Sequence, residues 1–325
     1  MELTEFLAEW HNDNDRILVH TSGSTGKPKP MMVEKKRMLN SARITCDFLG
    51  LKPGDTALLC MSLDYIAGKM MVVRSLQRGL QLTCVNPSSH PLADEALPSF
   101  TFAAMVPMQV YNTLKVPEER ERLMRIRHLI IGGGAISDEL AQMIKPLPNA
   151  VWSTYGMTET LSHIALRRLN GPDANLWYTP FDGVEVSLNA EGCLVIAAPL
   201  VCEKPLATHD IALLRTDERT GKTLFRIKGR KDNVVCSGGI KIQIEEVEEA
   251  LRPHLQAPFM IVKKQDEVLG EKAILLTEST DLTHIEEICR NTLPKYWVPR
   301  EFLHIDHLPL TETGKPKRTL PFTPR

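Results

Sequence analysis

Between Glu34 and Gly156 the sequence alternates two textures, and that alternation limits the fold more than any single motif does. Glu34–Leu49 carries Met38, Ala42, Thr45 and Leu49 on one helical stripe. "LKPGD" (51–55) is turn chemistry, and the "TALLCMSL" that follows is an apolar run suited to a buried strand. "GKMMVVRSLQRG" (68–79) reads as a helix ending at Gly79, and "LQLTCV" (80–85) as the next strand. "HLIIGGG" (128–134) runs from a strand into three glycines, and Ser137 is placed to cap a helix through "DELAQMIKPL". "NAVWSTYG" (149–156) repeats the strand-to-turn pattern. Strands alternating with helices predict an α/β sheet whose functional loops lie at strand ends.

The pattern changes after about Arg168. From there to Leu224 the pieces are short and turn-punctuated, as in "NAEGC" (189–193), and read as mostly β. Beyond "GRKDN" (229–233), two helices, "IEEVEEALRPH" (244–254) and "THIEEICRNTL" (283–293), flank the strands "FMIVKK" and "AILLTE". The expected architecture is α/β: a large domain, 1–231, with a mixed or parallel sheet and a β-rich subdomain. A small α+β domain, 232–325, follows it. There are no internal repeats.

Composition narrows the function. Of 325 residues 43% are hydrophobic and 24% charged, and 39 Lys+Arg balance 40 Asp+Glu, so no basic excess points to nucleic acid or an anionic membrane. The acidic opening "MELTEFLAEW" lacks a signal peptide's pattern, and no apolar run approaches the length of a membrane span. Seven scattered cysteines form no CxxC pair, which fits small buried thiols in a reduced cytoplasm.

"HTSGSTGKPKP" (20–30) concentrates phosphate-binding chemistry. It is not a Walker A loop, because Pro28 follows Gly26–Lys27 and Thr21 stands five before Gly26. Yet Gly23 and Gly26 let backbone N–H groups converge, Ser22, Ser24 and Thr25 add hydroxyls, and Lys27 and Lys29 add charge.

Six ordered motifs extend that reading. "TSGSTGKPK" resembles the phosphate loop of the adenylate-forming, AMP-binding superfamily of acyl-CoA synthetases, peptide-synthetase adenylation domains and luciferases. "IIGGGA" (130–135), "TYGMTET" (154–160), "THD" (208–210), "GRKDNVVCSGGIKI" (229–242) and "LTETGKPKR" (310–318) are similar to the motifs that follow it in that family. The resemblance implies attack of a carboxylate on the α-phosphorus of ATP, release of pyrophosphate, and transfer of the acyl group to a thiol, with Mg²⁺ and CoA as further requirements. It also implies a member shortened at its front, since about twenty residues precede the loop.

Residue by residue, Thr21, Ser22, Gly23, Ser24, Thr25, Gly26 and Lys27 would hold the β- and γ-phosphates. Gly133, Gly134 and Ala135 would line the adenine, the Tyr155 ring would pack on it, Gly156 would allow close backbone approach, and Met157 would complete the nucleotide site. Thr158 would meet the α-phosphate and Glu159 would hold Mg²⁺. Asp210 would accept from the ribose hydroxyls, supported by Arg230. His209 stands where the family usually has glycine, and Pro30 likewise replaces a glycine. Asp232 matches the hinge about which the small domain turns, and Ser237, Gly238, Gly239 and Lys241 match the loop on the thiol side. Lys315 matches the catalytic lysine.

The "YGMTETLSHIALR" and "DNVVCSGGIKIQIEEVE" stretches resemble most closely the o-succinylbenzoate–CoA ligases of menaquinone biosynthesis. Such an acid needs a cation or donors for its second carboxylate, and Tyr65, Lys69, Arg74 and Ser162 are the candidates. Another aryl or acyl acid, a carrier-protein thiol in place of CoA, and an inactive nucleotide-binding relative stay open. So does assembly as a homo-oligomer; small molecules are the expected partners.

Overall fold

A computed structural model describes residues 1–20, 30–134, 136–310 and 316–318. The chain divides into two compact units. The first comprises Met1–Ser187, Val195–Leu206 and Leu214–Arg226, and the second Leu188–Leu194, Ala207–Leu213 and Ile227–Arg325.

The first unit opens with helix α1 (Leu3–His11) and a hairpin of β1 (Arg16–His20) with β2 (Pro30–Glu34), whose register pairs Leu18 with Met32. Helix α2 (Lys35–Phe48) follows, then β3 (Thr56–Leu59), α3 (Ile66–Arg78), β4 (Gln81–Cys84) and β5 (Phe102–Met105). Next come α4 (Pro107–Lys115), α5 (Pro117–Met124), β6 (His128–Ile131), α6 (Asp138–Ile144), β7 (Ala150–Gly156), β8 (His163–Arg168) and β9 (Thr179–Pro180). The sheet runs β4-β3-β5-β6-β7-β8-β9; it is parallel from β4 to β7 and antiparallel from β7 to β9.

The apolar runs explain the layers. Leu58, Ala103, Met105, Leu129, Ile131 and Val151 are buried against Val110, Leu114, Leu123, Leu140 and Ile144 of α4, α5 and α6. Each large side chain taken from water in this way contributes roughly 1.5–3 kcal/mol before entropy is charged against it. The α2 stripe read from the sequence is buried throughout, from Met38 and Ala42 to Thr45 and Leu49. Ser137 caps α6, its Oγ accepting from the Leu140 N–H at 3.2 Å. The run after Asp55 ends as a strand at Leu59, four residues before the "TALLCMSL" stretch does, because Ser62 and Asp64 turn the chain through side-chain hydrogen bonds.

Strands β10 (Glu185–Leu188), β11 (Cys193–Ala197), β12 (Leu206–Thr216) and β13 (Thr223–Arg230) form a four-stranded sheet in that order. The second unit then builds β14 (Val234–Ser237), β15 (Ile240–Gln243), α7 (Ile244–Leu251), β16 (Phe259–Asp266), β17 (Gly270–Thr277), α8 (Leu282–Thr292) and β18 (Glu301–His304). Its sheet runs β15-β14-β17-β16, with β18 parallel to β17. Val235, Ile242, Val247, Leu251, Leu275 and Ile285 form the core between this sheet and its two helices.

Candidate functional site

In the first unit the site is built at the end of β7. Residues Thr158–Thr160 form one turn of 3₁₀ helix, closed by the buried Thr160: its Oγ1 accepts from the Met157 N–H at 3.0 Å and donates to the Ser162 carbonyl at 2.7 Å. Leu161 follows with φ +66°, the one non-glycine residue at positive φ among the described residues. A sparsely populated conformation of this kind costs roughly 1–3 kcal/mol, so the turn is held by its neighbours. It presents Glu159 to solvent and keeps Thr158 buried. The register of β7 against β8 shifts between Tyr155 and Gly156. A Cβ at Gly156 would fall inside 3.0 Å of three backbone atoms of Ser162 and His163, so only glycine lets these strands approach. Gly133, at φ +82°, and Gly134 follow β6 in the neighbouring loop.

The Tyr155 ring lies 5.0 Å from Phe225, edge-on, and 5.7 Å from Tyr178, while Tyr178 and Phe225 stack at 5.3 Å. Ser153 Oγ and the Tyr178 hydroxyl are hydrogen-bonded at 2.9 Å. Sequence reasoning missed Tyr178 and Phe225; the "WYTP" step from Trp177 to Pro180, an aromatic pair before a proline, was the available signal.

The acid-side candidates separate. On α3, Lys69 and Arg74 are five positions apart, which the helical pitch turns by roughly 140°. Lys69 is buried and donates to the Leu18 carbonyl at 2.9 Å, with its ammonium 5.6 Å from the Phe6 ring. Burial lowers its pKa, against the opposing charges of Glu9 and Asp64. Tyr65 is the half-exposed N-cap of the same helix. Arg74 meets Ser162 instead: its Nη2 donates to Ser162 Oγ at 2.6 Å. Arg74 is 2% exposed, its Nε has no hydrogen-bond partner, and no carboxylate pairs with it among the described residues. Burial pushes its pKa down to about 10, which still leaves the guanidinium charged at neutral pH.

In the second unit, Arg230 bridges two carboxylates, with Nη1 3.3 Å from Asp210 and Nη2 2.8 Å from Asp232. His209 Nδ1 lies 3.0 Å from both Asp232 oxygens. Burial raises the Asp232 pKa, but the hydrogen bonds from His209 and Arg230 outweigh it and hold the carboxyl below its usual value. The Asp210 N–H donates to Thr208 Oγ1 at 3.1 Å, which fixes the "THD" turn. β14 and β15 join through Gly238–Gly239, both at positive φ, the two-residue hairpin turn that glycines favour. Ser237 is half-buried at the hairpin's end and Lys241 is exposed beyond it.

Thr21–Lys27, Ala135 and Lys315 lie outside the described residues. Among the described residues no three His, Cys, Asp or Glu side chains stand close enough to hold a metal ion, and no helix is long and apolar enough to cross a membrane.

The chain is similar to the 2-succinylbenzoate–CoA ligase of Bacillus mycoides (strain KBAB4), 27% identical over 94% of this chain and 69% of that relative. It superposes on a structure from Dyadobacter fermentans described as an acyl-CoA synthetase (AMP-forming)/AMP-acid ligase II-like protein. The TM-score is 0.67 at 32% identity, covering 97% of this chain and 91% of the other. The fold also matches the o-succinylbenzoate coenzyme A synthetase of Bacillus subtilis in complex with ATP and magnesium ion, with a TM-score of 0.73 at 22% identity over 93% of this chain and 68% of that one. The family model for AMP-binding enzymes matches residues 5–195, more than half of the chain, and the chain therefore belongs to the AMP-binding enzyme family.

Proposed function

We propose that this chain is an ATP-dependent acid–CoA ligase acting on o-succinylbenzoate. A carboxylate oxygen of the acid attacks the α-phosphorus of ATP and pyrophosphate leaves. The CoA thiol then adds to the acyl carbon of the adenylate, loses its proton, and AMP departs with the electron pair of the broken C–O bond. In this reading the 21–27 loop holds the outer phosphates, Tyr155 and Gly156 meet the adenine, and Thr158 the α-phosphate. Asp210 and Arg230 take the ribose, and Lys315 neutralises the charge that develops during adenylation. The exposed Glu159 would hold Mg²⁺ from the protein side, an ion commonly held by one or two carboxylates plus substrate phosphates, and the ion would neutralise phosphate charge there. Asp232 serves as hinge between the domains 1–231 and 232–325, and Ser237–Lys241 faces the thiol.

One observation carries the choice of acid. A buried guanidinium with no carboxylate partner among the described residues is costly unless an anion arrives to meet it. A second carboxylate on the substrate would be that anion, and Arg is the side chain best suited to bind one. The test incubates the chain with ATP, Mg²⁺, CoA and o-succinylbenzoate and follows the thioester and AMP by mass spectrometry. Arg74→Met removes the buried charge, so the variant should melt no lower than the parent while its KM for the acid rises by one to two orders of magnitude, as for loss of a charged hydrogen bond. Lys315→Ala should abolish adenylate formation. AMP without thioester would redirect the acceptor to a carrier thiol, an unchanged acid KM in Arg74→Met would remove Arg74 as the anchor of the second carboxylate, and no adenylate or thioester from the parent would remove o-succinylbenzoate as the substrate.

A further inference from the structure

Arg74 is the head of a buried chain of polar groups that the motif reading does not contain. A guanidinium has no acceptor atom, so Ser162 Oγ accepts from it at 2.6 Å. At the far end, Thr45 Oγ1 lies 3.1 Å from the Ser41 carbonyl, which can only accept and therefore takes the threonine's single proton. Thr45 Oγ1 is also 3.1 Å from His163 Nε2. With its own proton committed, it must accept there, which places the imidazole proton on Nε2. A neutral ring protonated on Nε2 has a bare Nδ1, and Nδ1 stands 3.1 Å from Ser162 Oγ. Ser162 therefore donates its proton to His163. Every bond then runs one way, from Arg74 through Ser162, His163 and Thr45 to Ser41, an arrangement in which each bond polarises the next.

We propose that His163, held as its Nε2–H tautomer by Thr45, is a positioning residue: it takes the Ser162 proton away from the acid, leaves the Ser162 oxygen to accept from Arg74, and so pins one end of the Arg74 guanidinium for an anionic group of the substrate. The proposal rests on the acid-binding role given above to Arg74, whereas the hydrogen-bond polarity stands on the geometry alone. Neither His163 nor Thr45 touches the acid in this scheme. Ser162 offers the acid no hydrogen, so charge recognition falls to the Arg74 N–H groups that Ser162 leaves free, Nε among them. Arg74 is the charged group that bears on His163, and the Phe181 ring packs at 5.5 Å from the imidazole.

The test has two arms, both on the full chain. In the first, ¹⁵N-labelled histidine is read by long-range ¹⁵N–¹H correlation through the pH range in which free histidine titrates, with His163→Gln identifying its signal among the ten histidines. A fixed Nε2–H tautomer that does not titrate is expected. A proton on Nδ1, or ordinary titration, overturns the proposal.

In the second arm, Thr45→Val removes the acceptor while keeping shape. Its KM for o-succinylbenzoate should rise roughly tenfold, the equivalent of one buried hydrogen bond, with the KM for ATP unchanged. Thr45→Ser should restore the parent value. So should His163→Gln, whose amide can accept from Ser162 and donate to Thr45. An unchanged acid KM in Thr45→Val, or equal rises for acid and ATP, overturns the positioning role even where the tautomer is correct. If the parent chain makes no thioester from o-succinylbenzoate, the substrate reading and the role of Arg74 fall together. The first arm separates that outcome from failure of the relay.

Discussion

The sharpest stability prediction concerns Arg318, three residues beyond Lys315. Its Nη1 and Nη2 reach the two oxygens of Glu248 at 2.5 and 2.7 Å, a bidentate pair whose side chains are only 15% and 9% exposed. Nη1 also donates to the Ile261 carbonyl at 2.7 Å, and Glu248 accepts from the Ile261 N–H at 2.7 Å, so the pair clamps α7 to β16. Burial works against the Arg318 charge, but the Glu248 hydrogen bond and charge overcome it and raise the pKa. Arg318→Met fills the space yet leaves Glu248 buried with one remaining donor, and leaves an Ile261 lone pair unmet. Breaking a buried pair costs about 3–5 kcal/mol; the surviving Ile261 bond offsets about 1 kcal/mol, so about 3 kcal/mol is expected. Because a two-unit chain need not unfold in one step, the readout is hydrogen exchange over residues 244–262, where that loss lowers protection by roughly two orders of magnitude. Arg318→Met with Glu248→Leu removes both charges and should recover part of the loss, the remainder being the Ile261 N–H and carbonyl left without these partners. The Leu310–Pro316 bridge and the Lys317 N–H on the Pro309 carbonyl at 2.8 Å, adjacent to Arg318 in sequence, should loosen in the single variant, and adenylation should slow with it. Unchanged protection in Arg318→Met, or a double variant no better than the single, would refute the argument.

Two further outcomes follow from the first unit. Gly156→Ala should cost about 1–3 kcal/mol by overpacking, because the atoms it strikes are backbone and no rotamer can yield; melting and pyrophosphate exchange should fall together, and an unshifted melting temperature would contradict the close approach. Acid should destabilise the fold through histidines held neutral. Burial, then the Arg74 charge, sets His163 well below its ordinary 6.5, and burial, then Arg127 and Arg168, lowers His128. As pH falls below about 6.5 the unfolded chain takes up protons that the folded one refuses, so the stability present above that value is lost by up to about 1.4 kcal/mol per pH unit for each group. His163→Gln should flatten the slope in denaturant midpoints measured against pH, and an unaltered slope would assign the effect elsewhere.

Most of the fold was legible because its signals are local. The α2 stripe, the end of α3 at Gly79 and the Ser137 cap each depend on residues close to one another along the chain. The hairpin of β1 with β2 was not legible: "RILVH" is five residues long, and its partner "PMMVE" begins with a proline at the edge of a polar loop. On the site side, the YGMTET turn was readable as a motif, but Tyr178 and Phe225 lie 23 and 70 positions beyond Tyr155 and look like ordinary core aromatics.

Thr45 and Arg74 show where sequence reasoning reaches its limit. Thr45 sits correctly on the buried stripe of α2, yet the role we propose for it depends on the hydroxyl, and a stripe argument treats it as a filler among Met38, Ala42 and Leu49. Arg74 has the opposite ambiguity. On a helix written as a sequence it is one more charge beside Arg78, and nothing local distinguishes them. The structure separates them by their partners: Arg78 pairs with Asp47 and donates to the Leu51 carbonyl, so its charge is matched within the fold. Arg74 is more deeply buried and meets a hydroxyl, a thioether and an empty Nε among the described residues. A matched charge stabilises by itself, whereas an unmatched one stabilises only with the anion that completes it. What separates Arg74 from Arg78 is therefore the carboxylate that Arg74 lacks among the described residues, and a difference of that kind becomes visible only after the chain has folded.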